Sequence, residues 1–114
     1  MTTKKMIFNT IQSLGLNIPL SYGFSDNEAF PKLVYFHVHT NESRLSNQKK
    51  IKRHTYQLNF YDFKPHDLDN SEILIKLQET IENTTLNTSS WQEVIDVDPE
   101  TKDTQFMYFM EIYS

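Results

Sequence analysis

FPKLVYFHVHTNESRLSNQKKIKRHTYQLNFYDF, residues 30–63, is the stretch whose reading decides the fold. Lys32–His39 alternates with a period of two. Val34, Phe36 and Val38 share one face, and Leu33, Tyr35, His37 and His39 share the other. His54–Asp62 alternates as well, setting Tyr56, Leu58 and Phe60 against Thr55, Gln57, Asn59 and Tyr61. Two long strands, Leu33–His39 and His54–Asp62, are therefore expected, joined by a polar, glycine-free connector, Thr40–Arg53. The connector holds Arg44, Lys49, Lys50, Lys52 and Arg53, five of the eleven Lys and Arg. A small domain rarely keeps so long a polar arm unless something outside the domain touches it, so the arm points to assembly or binding. The polar face of the second strand predicts a sheet with one side solvated or covered by a neighbouring subunit.

On the N-terminal side, Ile7, Ile11 and Leu14 fall at helical spacing and predict a helix over Thr3–Leu14 that stops at Gly15. A short extended piece, Ile18–Tyr22, leads into a loop, Gly23–Pro31, in which Pro31 keeps Phe30 out of helical geometry. On the C-terminal side, Asp69 with Glu72 three residues on reads as a capping box, with Leu68 and Ile73 as a hydrophobic staple. Ile73, Leu74, Leu77 and Ile81 form the buried stripe of the helix that follows. Glu72, Lys76, Glu79 and Glu82 lie outside, and the helix frays by Asn83–Thr85. Trp91–Val97 and Gln105–Tyr113 are the last strands, joined through Asp98–Asp103 with Pro99 suited to a type I turn. The final strand is apolar on both faces, which marks a central strand or a contact surface. The order predicts an α+β domain: an antiparallel or mixed sheet of four to five strands, two helices mainly on one face, and a long hairpin arm between two central strands.

At 114 residues the chain points to a single domain, residues 1–114. Eight Phe, six Tyr and one Trp argue against intrinsic disorder. The absence of cysteine excludes disulfides, thiolate metal sites and a Cys nucleophile, and it fits a reducing compartment. The first residues lack the apolar run of a signal peptide, and no window approaches a membrane span, so no membrane partner is expected. Net charge is −4 but unevenly placed. Residues 1–61 hold eight Lys/Arg and three Asp/Glu, whereas residues 62–114 hold three and twelve. A chain with one basic and one acidic end can dock head to tail on its own copies; the competing explanation is solvated faces that simply differ.

Catalytic readings find little support. His37, His39 and His54 would approach one another if the hairpin centres near Ser46 and Asn47, but the sequence singles out neither a fourth zinc ligand nor its supporting partners. An interface sensitive to pH between about 5 and 7 is the milder reading of these histidines. Glu93, Asp96, Asp98, Glu100 and Asp103 crowd a turn rather than a cleft, and the two Gly are isolated, so no phosphate loop exists. Tyr35, Tyr56, Phe60, Tyr61 and Trp91 could stack bases, although aromatics at strand period more often belong to a core. Catalytic, metal and cofactor residues are therefore expected to be none.

An N-terminal helix ending near Gly15, the segment Phe30–Phe36, a polar arm, the segment Arg53–Tyr61, an amphipathic helix and a C-terminal hairpin together resemble the small tail-terminator (tail-completion, head–tail joining) proteins of long-tailed bacteriophages. The resemblance spans nearly the whole chain and rests on order, size and two strand segments. It implies a non-enzymatic virion protein, assembled in the host bacterial cytoplasm, that forms a ring, usually a hexamer, on the head-proximal end of the tail tube. Such a ring stops tube growth and joins the tail to the neck. The implied partners are sister copies, the tail tube protein, a neck or head-completion protein, and DNA passing through the channel without sequence-specific binding. Arg44, Lys49, Lys50, Lys52 and Arg53 would then reach an adjacent subunit or line the lumen, where phosphate attraction weakens with salt. A head-closure or neck adaptor, and a small nucleic-acid-binding module built on the arm, are the alternatives.

Overall fold

The computed structural model describes residues 2–24, 30–44 and 50–114. Its elements are α1 (Thr3–Gln12), β1 (Leu20–Tyr22), β2 (Lys32–Arg44), β3 (Lys50–Asp62), α2 (Glu72–Glu82), β4 (Asn87–Thr88), β5 (Gln92–Val97) and β6 (Thr104–Tyr113). The fold is α+β, with a mixed six-stranded sheet rather than one of four to five strands. The sheet order is β1-β2-β3-β6-β4, and β5 also pairs with β6. Among the described strands only β1 and β2 run parallel. The strand missed in the sequence is β4, two polar residues with no alternation to read, which pair with Tyr113 and Ile112.

Alternation decides which face meets the helices. Leu33, Phe60 and Tyr108 stand in one cross-strand row, Tyr35, Leu58 and Met110 in the next, and His37, Tyr56 and Ile112 in the third. Apart from His37, these side chains join Ile7 and Ile11 of α1, and Leu74, Leu77 and Ile81 of α2, in a single core. Tyr108, Met110 and Ile112 are completely buried, as a strand with apolar residues on both faces requires at the centre of a sheet. Trp91 lies just before β5, where its indole packs inward and donates from Nε1 to the Leu74 carbonyl at 2.9 Å. No helix among the described residues is long and apolar enough to cross a membrane.

Both helices sit close to their expected positions. Thr2 caps α1 by accepting from Lys5 N–H. The helix then tightens through Leu14 N–H to the Ile11 carbonyl and Gly15 N–H to the Gln12 carbonyl, and Gly15 leaves in the left-handed region at φ +59°. For α2 the expected cap is corrected. Ser71, not Asp69, is the N-cap, and its hydroxyl accepts from Leu74 N–H. Asp67 takes up the preceding turn, accepting Asp69 N–H at its side chain and Asn70 and Ser71 N–H at its carbonyl. That turn delays the helix by two residues, which places Glu72 in the first turn instead of at the capping-box position. Leu68 stays exposed, so no staple forms.

The connector Thr40–Arg53 is corrected as well. Most of it is strand: β2 runs on to Arg44 and β3 starts at Lys50, with Arg44 opposite Lys50. The arm is therefore a two-stranded ribbon continuous with the sheet. A one-residue register shift between His37 and His39 leaves Val38 as the extra residue. Proximal to it the register is the one expected from a hairpin centred near Ser46 and Asn47. Distal to it, His39 pairs with Thr55 and Thr40 pairs with His54.

The cap assignment has a direct test. Ser71→Ala is expected to lower unfolding stability by about 1 kcal/mol, whereas Asp69→Ala should leave the urea midpoint nearly unchanged. Equal effects from the two substitutions would restore Asp69 as the cap.

Candidate assembly surface

The core ends at the row of His37, Tyr56 and Ile112. Beyond it, none of the ribbon residues His39–Glu42 and Lys52–His54 belongs to the hydrophobic cluster. The last tie to the body is made by the chain's C-terminal residue: Ser114 N–H donates to the His54 carbonyl, and His54 N–H donates to Ser114 Oγ at 2.7 Å. Among the expected arm residues, Lys52 and Arg53 are exposed on β3. Lys52 Nζ lies 3.8 Å from Glu42 Oε1 across the ribbon, with both side chains in water, a geometry that contributes little to stability. Arg44 and Lys50 occupy the last described positions of the two strands. Lys49 lies outside the described residues.

The register fixes where this basic ribbon points. Thr55 pairs with Tyr113 and Asp62 with Phe106, so the ribbon projects past the C-terminal end of β6. The turn from Asp98 to Asp103 precedes Thr104 and projects from the opposite end of the same strand. Asp98 organises that turn. Its side chain accepts Glu100 and Thr101 N–H, its carbonyl accepts Lys102 N–H, and its N–H donates to the Asp103 carbonyl. The ten residues of β6 separate the two charged ends by roughly 30 Å. That is several Debye lengths at physiological salt, so the ends cannot neutralise each other within one chain. The molecule is correspondingly long, 58 × 28 × 26 Å.

Three further surfaces matter. The outer edge of β5 has no partner among the described residues, all six of its residues are exposed, and Val94, Ile95 and Val97 present large apolar groups to solvent. The sheet face away from the helices carries a side-chain ladder in which Gln57 Nε2 donates to Asn59 and Asn59 Nδ2 donates to the Tyr61 hydroxyl. A cavity of about 450 Å³ opens beside α2, lined in part by Asp62, His66, Ser71 and Lys76.

The histidines do not converge as expected. The extra residue at Val38 rotates His39 to the helix-free face, where its Nε2 is 3.5 Å from Thr55 Oγ1. Thr40 takes the place expected for His39, and its hydroxyl lies 2.9 Å from His37 Nε2 and 2.8 Å from His54 Nδ1. Among the described residues, no three His, Asp or Glu are grouped as metal ligands. The aromatics are likewise committed elsewhere. Tyr35, Tyr56, Phe60 and Trp91 are buried in the core and cannot stack bases, while Tyr61 is half-buried and stacks against Phe30.

His66 has a role the sequence reading missed. Its Nε2 is 2.7 Å from Asp62 Oδ2, and its Nδ1 is 3.1 Å from Ser71 Oγ. A neutral ring donating to Asp62 can accept the Ser71 proton, and Ser71 in turn accepts from Leu74 N–H. The chain of bonds runs from a β3 carboxylate to the first turn of α2 and pins the intervening loop. The His66 main chain is held too, its N–H donating to the Tyr108 hydroxyl, which itself donates to Glu93 Oε2 at 2.6 Å. The i,i+4 pair Asp62/His66 ahead of a capped helix was the available signal. Burial, and then the bond to Glu93, pushes the Tyr108 phenol up to about 12.

No family model matches the chain. A search of curated proteins finds no relative either. The reading of function therefore rests on the residues and geometry above.

The raised Tyr108 phenol makes a prediction about pH. The fold favours the neutral phenol, so its contribution to stability is complete below about pH 10 and is lost as pH rises through about 12. Urea midpoints measured across that interval should fall more steeply for the native chain than for Tyr108→Phe. Parallel curves would show that Tyr108 does not carry the effect.

Proposed function

We propose that this chain is a non-enzymatic structural subunit of a phage tail, a tail terminator that closes into a ring at the head-proximal end of the tail tube. There it stops tube growth and joins the tail to the capsid neck. The observation that supports this reading best is the placement of charge: a basic ribbon at one end of the sheet, and an acidic turn at the other. Unlike ends on one subunit favour heterologous contacts, and these close into rings when the rotation between copies permits. The exposed β5 edge supports the same reading, since an open apolar edge in a small domain invites pairing with another chain.

The partners in this proposal are sister copies, commonly six, the tube protein beneath and a neck protein above. DNA crosses the lumen without sequence-specific contact. Capping requires that the upper face of the closed ring fail to recruit another tube subunit. The burial of Tyr35, Tyr56, Phe60 and Trp91 weighs against the nucleic-acid module, because that module would need those rings to be accessible.

Electron microscopy of tails assembled without this chain tests the assignment. Overlong, headless tubes are expected. Tails of normal length that fail to attach to heads would indicate a neck adaptor instead. Replacing Lys49, Lys50, Lys52 and Arg53 together with Ser should impair ring formation while circular dichroism shows a folded monomer, and unchanged rings would remove the arm from the interface.

A further inference from the structure

We infer that the outer edge of β5 accepts the β3 side of the basic ribbon from a second copy of this chain, so that one sheet continues into the next through Lys50–Arg53 of the neighbour. This rests on the ring reading above and specifies which two surfaces meet.

The acceptor is a strand without the usual protection. Natural sheets blunt their edges with Lys, Pro, bulges or very short strands. The opposite edge follows that rule, because β1 has only three residues. β5 has six and contains no Lys, Pro or Gly, only the acids Glu93 and Asp96 among Gln92, Val94, Ile95 and Val97. The segment from Gln92 to Thr104 carries five acids against one lysine, so it repels a second β5 and attracts a basic strand.

The donor is free over a matching length. β6 and Ser114 occupy the outer edge of β3 only from His54 onward. Lys50–Arg53 therefore keeps an unpaired edge among the described residues and carries three of the arm's five cations. Four residues against β5 span about 13 Å.

Face parity also agrees. Arg53 shares the helix-free face with Thr55, and Val94 and Asp96 share it with Met107 and Gln105. Lys52 shares the helix-bearing face with Tyr56, as Glu93, Ile95 and Val97 do with Tyr108 and Phe106. A sheet continued with both helix layers on the same side puts Arg53 on the face of Val94 and Asp96, where opposite charge selects the register that sets it beside Asp96. It also lays the methylene stem of Lys52 over exposed Ile95 and Val97. Arg53 and Asp96 are both exposed, and neither has an ion-pair partner among the described residues. Donor and acceptor sit at opposite ends of each copy, so every subunit gives one strand and receives one.

The chain has no cysteine, which permits a clean test. Chains bearing Arg53→Cys and chains bearing Asp96→Cys are mixed with purified tail tubes and oxidised. A disulfide between the two variants, absent when either is used alone, is the expected result, because cross-linking requires Cα atoms within roughly 7 Å. Independently, Arg53→Asp or Asp96→Arg alone should weaken ring formation about tenfold, and the two exchanges in one chain should restore it to within about threefold. Rings that still cap tubes, with no cross-link and no rescue, would overturn this pairing and leave the terminator reading standing. Wild-type chains that never limit tube length would sink that reading separately. Cross-linking and rescue between free copies would still support the strand pairing. A chain that stays monomeric and instead binds DNA through Arg53 would overturn the second copy as the occupant.

Discussion

Along β2 and β3 the described core reaches no further than the row of His37, Tyr56 and Ile112, and the character of body and ribbon follows from which side of that row they occupy. On the body side, both helices press on one sheet face, and Tyr108, Met110 and Ile112 are completely shielded. The sequence there can be apolar and the structure self-supporting. On the far side the described ribbon residues are joined by hydrogen bonds and a weak exposed ion pair, and two-stranded ribbons are marginal in water without a further surface.

The extra residue at Val38 marks this transition. One additional residue in β2 exchanges the faces of everything distal to it, removing His39 from the row of His37 and installing Thr40. It also adds twist at the place where the strands leave the body. The bulge thus ends the regular sheet and re-aims the arm in a single step. On the body side, the loop that re-enters α2 is held by Asp62, His66, Ser71 and Tyr108, and Tyr108 also binds Glu93 of the edge strand. The acceptor edge is consequently stiffened from behind by the core.

Much of this architecture was legible in the residues, because period-two and period-3.6 patterns report burial directly. Leu33, Tyr35, Tyr56, Leu58 and Phe60 announced their strands, and Leu74, Leu77 and Ile81 announced α2. What escaped had no local signature. The Val38 bulge is a register property of two strands together, and the residue pattern of β2 carries no mark of it. Asn87 and Thr88 are too few to show a period. Ser71 lost to Asp69 in the reading because Asp67 forms a preceding turn that competes for the same pattern. Of the arm, composition, charge and hairpin form were visible. How far its strands run, to Arg44 and from Lys50, was not, because polar residues from Thr40 to Arg53 read equally well as loop.

The indole of Trp91 gives the molecule a built-in optical reporter. It is the chain's sole tryptophan, it is enclosed by the core, and it is bonded to the Leu74 carbonyl at the joint between α2 and β5. Melting of the body would bare this ring to water and shift its emission, so the state of the core can be read at a single residue.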